Sequence, residues 1–223
     1  MSLIIFRKDE IVSLCKGKKV LHLGFIQHTI YEKKIQENDW LHSKLDEVSD
    51  KLVGVDYLKD AVVNIREKYK YECYFGDVMQ LDQCELNDTF DIIVCGELIE
   101  HIENPGLMLD GIKRFMNENT TLIITTPNPW YVERIKLIKR NKLEDQWLNK
   151  EHVSWFSYET LKQLLARKGY NAQGGYYYEE STERMKKSNS LVDKVKYFFK
   201  KIVMSYTPER LYDGLFFLVQ LKK

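Results

Sequence analysis

The sequence predicts an α/β fold: a doubly wound, mostly parallel sheet of seven strands, with an amphipathic helical insertion before the last strand. Three observations predict it. Short apolar runs alternate along the chain with segments of helical spacing. The run Ile92-Ile93-Val94 is apolar on both faces, as a strand covered by helices on both sides must be. Several runs stop abruptly at glycine or ionisable residues, and strand ends of open α/β sheets are where ligands and chemistry are presented.

The elements follow in order. Residues 18–24 (KKVLHLG) read as the first strand, 40–50 as helical and 52–56 (LVGVD) as the second strand. Residues 57–69 are helical, with Val62, Ile65 and Tyr69 at helical spacing. Residues 71–75 and 90–95 supply the third and fourth strands, and 107–116 a helix. Residues 121–125 (TLIIT) form the fifth strand, closed by Pro127, Asn128 and Pro129. Ser157 is placed as N-cap of a helix through Lys168, with Gly169 beyond its end. Residues 170–178 and 215–221 are the last two strands. Sequential parallel strands require right-handed crossovers.

Length and composition bound the rest. The 223 residues suit one domain, 1–223, with a helical insertion at 179–213. At 44% hydrophobic and 30% charged residues the chain is globular. A net charge of +1 offers no global field for nucleic acid. The four cysteines lack CxxC spacing and no secretory signal is read, so a reduced cytoplasmic location is expected.

The strand ends carry the candidate chemistry. Gly24 ends the first strand, where a glycine lets backbone approach a ligand. Asp56 ends the second, placed to accept from ribose hydroxyls, and Gly76-Asp77 follows the third, placed to accept from an adenine amino group. Each acid alone also reads as a turn or cap; three successive strand ends of this kind argue for a nucleoside-bearing ligand. A single glycine in the first loop excludes a dinucleotide fingerprint. The fourth strand opens into Glu97, Glu100 and His101, and core packing has no use for two acids and a histidine there.

With these residues together, the chain resembles the class I S-adenosylmethionine-dependent methyltransferases, a Rossmann-like fold. The motifs are VLHLG (20–24), VGVD (53–56), GD (76–77), FDIIVCGELIEHIENP (90–105) and LIITTPNP (122–129). The resemblance covers residues 18–178, with 215–221 as the final strand. It implies S-adenosylmethionine as cofactor. It places Gly24 and Phe25 against the methionine portion, Asp56 and Tyr57 at the ribose, Asp77 and Val78 at the adenine, and Cys95, Gly96 and Glu97 along the wall near the sulfonium. Two departures stand out. His22 occupies the family's usual acid position and is expected to hydrogen-bond the methionine end. Ile26 replaces a glycine and is expected to narrow the loop.

The GELIEH segment (96–101) resembles two subgroups more closely: ubiquinone-pathway O-methyltransferases and small-RNA 3′-terminal 2′-O-methyltransferases. In the second, a Glu-x-x-Glu-His stretch and a later histidine hold a divalent metal beside the acceptor hydroxyl. The resemblance maps that set onto Glu97, Glu100, His101 and His152. Metal-free chemistry would use His101 as general base with Glu100 beside it, and a structural Glu100–His101 pair is the third reading. The implied reaction is methylation of an oxygen on a small-molecule, sugar or lipid-linked acceptor. A non-catalytic interaction protein of the same fold and a metal-assisted RNA 2′-O-methyltransferase are the alternatives, the latter opposed by the near-zero net charge.

Two features are ambiguous in sequence. Trp130, Tyr131, Trp147, Trp155 and Phe156 serve a core, a lid or an acceptor pocket equally well, and Arg134, Lys136, Lys139, Arg140 and Lys142 read as a solvated face or as phosphate contacts. Residues 191–204 are amphipathic, with Leu191, Val195, Phe198, Phe199 and Ile202 on one face. Packing of that face on the domain or a partner subunit is the plain expectation. Peripheral contact with an anionic membrane is the sharper one.

Overall fold

A computed structural model describes residues 6–27, 30–141, 151–178 and 190–222. His28, Lys142, Trp147 and residues 179–189 of the expected insertion lie outside the described residues.

In chain order the elements are α1 (Arg7–Cys15), β1 (Lys19–Leu23), α2 (Tyr31–Gln36), α3 (Leu41–Asp46), β2 (Lys51–Asp56), α4 (Lys59–Tyr69), β3 (Cys73–Phe75), β4 (Ile92–Gly96), α5 (Pro105–Ile112), β5 (Thr121–Pro127), α6 (Val132–Lys139), α7 (Tyr158–Arg167), β6 (Tyr170–Tyr177), α8 (Leu191–Ser205) and β7 (Gly214–Leu221). The seven strands form one sheet in the order β3-β2-β1-β4-β5-β7-β6. Strands β1 to β5 pair in parallel, and β7 runs antiparallel to both β5 and β6. This is the expected doubly wound sheet, with its order reversing beside β1, where such sheets bind ligands.

Burial explains the central strands. Ile92, Ile93, Val94 and Cys95 of β4 are all buried, because helices cover both sides. On one side Leu21, Leu23, Ile93 and Ile124 meet Met108, Leu109, Leu161 and Leu165 of α5 and α7. On the other, Val20, Val94 and Ile123 meet Ile11, Cys15 and Leu45 of α1 and α3, while Val62 and Ile65 of α4 pack with Phe25 and Trp40. Local signals set the helix ends. Ser157 and Thr160 form a reciprocal capping box at α7, Gly169 beyond it has φ 78°, and the Asn104 side chain accepts the Leu107 N–H at the start of α5.

The structure departs from the sequence expectation in three places. The segment expected as a helix at 40–50 forms only six residues of helix, Leu41–Asp46. Between β1 and that helix, where the sequence reading has no element, Tyr31–Gln36 form the short α2, which has no buried residue. Among the described residues the expected docking of the 191–204 face on the domain is not observed: Leu191, Phe198 and Phe199 are 77%, 61% and 61% exposed. No helix among the described residues is long and apolar enough to cross a membrane.

Candidate active site

Strands β1 to β4 run parallel, so the ends that carry Gly24, Asp56, Asp77 and Glu97 open on one edge of the sheet. Gly24 turns the chain with φ 63°, and its N–H donates to the Val55 carbonyl at 2.9 Å. A Cβ here would lie 2.7 Å from Leu98 Cδ1, so both conformation and space demand glycine. The Ile26 N–H donates to Asp56 Oδ2 at 3.0 Å and the Leu58 N–H donates to Oδ1 at 3.1 Å. Asp56, only 2% exposed, thereby ties the β1 loop to the β2 end.

The expectation that Ile26 narrows the loop is corrected: its side chain is buried with Trp40, Val62 and Ile65 on the helix side. Phe25 is corrected likewise, because its ring packs inward against Trp40 and Gly54. His22 is not on the cleft side either. Strand alternation puts it on the face of Val20, and its Nδ1 lies 3.2 Å from His42 Nδ1 in a buried pair. Burial, aided by the positive charge of Arg7, lowers His22 to about 3, and burial beside His22 holds His42 well below its ordinary value. Tyr57 is exposed beside Asp56. Asp77 Oδ1 accepts the Met79 N–H at 2.8 Å, which shapes the turn after β3, and Val78 is buried in the core beneath it.

At the end of β4 the expected wall divides. Cys95 is corrected: its side chain is fully buried in the α5–α7 core, which pushes its thiol far up. Gly96 is half-buried. Glu97 adopts a left-handed φ of 53°, with its N–H donating to the Thr125 carbonyl. Its Oε1 accepts the Tyr177 hydroxyl at 3.0 Å and lies 3.5 Å from Arg7 Nη1. Arg7 Nη1 also donates to Thr125 Oγ1 at 3.1 Å. Glu97 is therefore engaged by Arg7 and Tyr177 and is not one of the residues whose ligand atoms converge in the metal-type cluster expected for it.

The remaining three residues do converge. Glu100, His101 and His152 each offer a ligand atom, and these atoms lie within 4.8 Å of one another. The Glu100 carbonyl accepts the N–H groups of Val153 and Ser154, which brings the second segment onto the first. Glu100 is 1% exposed; Oε2 accepts the Thr126 hydroxyl at 2.9 Å, while Oε1 is buried without a hydrogen-bond partner. Burial and the charge of Glu97 raise Glu100 well above the usual carboxyl range. The Glu151 carbonyl accepts from His101 Nδ1 at 3.2 Å, so Nε2 is left as the lone-pair nitrogen. The His101 and His152 rings meet edge to face at 4.6 Å, and His152 Nδ1 is buried without a partner. Trp155 stands behind His152, with the Arg134 guanidinium 4.1 Å over its ring centre. Further along the same edge, Trp130, Tyr158, Tyr176 and Arg210 line an open groove of about 690 Å³.

The geometry fits the cofactor that the strand-end pattern implies. A glycine turn with no room for a side chain, a carboxylate at the next strand tip and an exposed tyrosine beside it form a cradle at the sheet's reversal point. A methyltransferase-domain family model matches residues 35–173, more than half of the chain. The chain belongs to this family, that of the S-adenosylmethionine-dependent methyltransferases. A ubiquinone biosynthesis O-methyltransferase of Glaesserella parasuis serovar 5 (strain SH0165) is 32% identical over 85 residues, 34% of this chain. The chain spans only 36% of that relative's length. Among solved structures, a SAM-dependent methyltransferase from Archaeoglobus fulgidus aligns with TM-score 0.59 at 18% identity, covering 97% of this chain and 91% of its own. Magnesium protoporphyrin IX methyltransferase from Synechocystis PCC 6803, solved with bound SAH, aligns with TM-score 0.55 at 14% identity, covering 97% of this chain and 82% of its own. These likenesses establish the class I fold.

Sequence reasoning missed Arg7, Thr126, Tyr177 and His42. Arg7 acts on Glu97 across 90 positions and Tyr177 across 80, so no local spacing announces them. Thr126 lies within a motif that had been read only as a strand end.

Proposed function

We propose that this methyltransferase moves the methyl group of S-adenosylmethionine to an oxygen of a small-molecule, sugar or lipid-linked acceptor, with a divalent metal held by Glu100, His101 and His152. The observation that carries the reading is Glu100 Oε1, a buried carboxyl oxygen without a partner, set among two imidazoles. An unsatisfied buried polar atom is costly, and a cation in that cluster would satisfy it. One carboxylate and two imidazoles suit Zn²⁺ or Mn²⁺, and with added waters Mg²⁺. Such an ion would supply Lewis-acid polarisation of the acceptor oxygen. The cofactor, when bound, supplies a methyl group already activated on a sulfonium.

The chain's own residues then mostly position. The Gly24 turn lies against the methionine portion, Asp56 holds the ribose with Tyr57 beside it, and Asp77 meets the adenine. In this reading the lone pair on His101 Nε2 is a metal ligand; only in a metal-free site would it accept the acceptor's hydroxyl proton. Thr126 and the segment from Glu151 to Ser154 fix the cluster, and aligned reactants account for several kcal/mol, on the order of 7 or more, of the barrier. Glu97, tied to Arg7 and Tyr177, braces the wall between the two halves. The local identity with a ubiquinone biosynthesis O-methyltransferase supports an oxygen acceptor.

Calorimetric titration with S-adenosylmethionine tests the cofactor half. Binding is expected for the wild type and a loss of at least tenfold for Asp56→Ala; no heat even at millimolar cofactor overturns it. Transfer of a labelled methyl group to a panel of hydroxylated acceptors, with and without added metal, tests the rest. Metal-independent transfer to nitrogen acceptors alone would overturn the oxygen and metal reading.

A further inference from the structure

Helix α8 does not bury its apolar side as a core helix would. At about 100° per residue, Leu191, Val192, Val195, Phe198, Phe199, Ile202 and Val203 occupy one arc of about 140°. Every one of them is exposed, between 41% and 77%. Among the helix residues whose side chains are described, the half-buried ones are Asp193 and Tyr197, which fall on the opposite side of the wheel. The helix therefore exposes two phenylalanines and five aliphatic residues, and its less exposed positions lie on the polar side. Burying that face would be favourable by the ordinary hydrophobic term, and among the described residues it stays exposed.

The charges name the surface. Lys194 borders the apolar arc on one side and Lys196 on the other, and both are exposed. The helix carries four lysines against one aspartate, in a chain whose net charge is only +1. Lysines at both margins of an apolar face let their stems lie along hydrocarbon while the ammonium groups reach headgroups. A second copy of the same face would instead bring like charges together. Chain continuity adds a reason. Three residues beyond the end of α8, Pro208 begins the Pro208–Arg210 wall of the open groove at the carboxyl edge of the sheet. A surface held by α8 would thus stand beside the groove entrance.

We propose that α8 is an interfacial helix that docks this protein on a membrane bearing anionic lipid headgroups, with its phenylalanines in the acyl boundary. The proposal does not depend on the acceptor or metal assignment. Flotation of the full chain with phosphatidylcholine vesicles, with and without phosphatidylglycerol, tests it. Binding is expected only to the vesicles containing phosphatidylglycerol, and is expected to weaken with salt. Lys194→Gln with Lys196→Gln should weaken it by about thirtyfold at low salt. Phe198→Glu with Phe199→Glu should abolish it. Because both rings are exposed, the circular dichroism spectrum should be unchanged. Equal binding to neutral vesicles, no binding by the folded wild type, or undiminished binding by the Phe198→Glu/Phe199→Glu protein each overturns the proposal. So does a stable wild-type dimer that this double variant converts to monomer, which would assign the face to a second copy.

Discussion

Glu100 has one carboxyl oxygen bonded to Thr126 and the other buried without a hydrogen-bond partner. If its role is to complete an acceptor-side cluster, Glu100→Gln should keep cofactor affinity within about twofold and lower kcat/KM for methyl transfer by about 10²-fold or more. Equal losses in both would mark it as a fold element. The His22–His42 pair makes a second prediction at this scale. Both rings are neutral in the fold, His22 with its value lowered to about 3 and His42 well below the ordinary value. In the unfolded chain each titrates near 6.5. Between about pH 3 and 6.5 the unfolded state therefore binds more protons, so stability rises with pH through this window and levels off above it. Each histidine contributes a slope of up to about 1.4 kcal/mol per pH unit. Denaturant titrations at pH 7.5 and pH 5 should show the loss in the wild type and about half of it in His42→Gln. An unchanged difference in that variant would assign the acid sensitivity to other groups.

The elements were legible where one local rule governs them. The apolar run of β4, the Ser157 cap and the glycine at the end of β1 each follow from sterics or hydrogen bonding within a few residues. The site was legible at its strand ends for the same reason, since Gly24, Asp56 and Asp77 sit at positions the sheet itself defines. What sequence could not supply was direction. It could not tell that Ile26 and Phe25 turn inward, that His22 pairs with His42, or that Glu97 leaves the acidic cluster for Arg7 and Tyr177. Those choices depend on what a distant segment offers. Strand β2 shows how tightly one such choice is built. Gly54 exists to admit the Phe25 ring, since a Cβ there would lie 2.8 Å from Phe25 Cε1. Gly54→Ala should cost about 1–3 kcal/mol by overpacking. It should also loosen the loop that Asp56 anchors, seen as a lower urea midpoint together with weaker cofactor binding. A stabilised variant would show that the ring has room to shift.

At the scale of the whole molecule, the first helix, the fourth and fifth strands and the sixth strand meet in one small network. Arg7 of α1 reaches Thr125 of β5 and Glu97 after β4, and Tyr177 of β6 donates to the same Glu97 oxygen. The Arg7 side chain is 13% exposed and that of Glu97 30%, so water screens the pair only in part. A left-handed residue such as Glu97 persists only where its surroundings over-determine it, and these contacts do so from both ends of the chain. Removing one charge should therefore cost more than removing both. Arg7→Ala leaves the Glu97 side chain without its cation. A cost of about 1–3 kcal/mol is expected, below the range for fully buried pairs because of the partial exposure. For a domain of this size that is a fall in Tm of about 2–4 °C per kcal/mol. Glu97→Gln keeps an acceptor for Tyr177 and should cost less. The double variant should be no less stable than Arg7→Ala alone, a coupling that thermal melts of the four proteins would read directly. Strict additivity would mean that α1 and the fourth strand end are energetically independent, and that the Glu97 backbone is held by the Thr125 hydrogen bond alone.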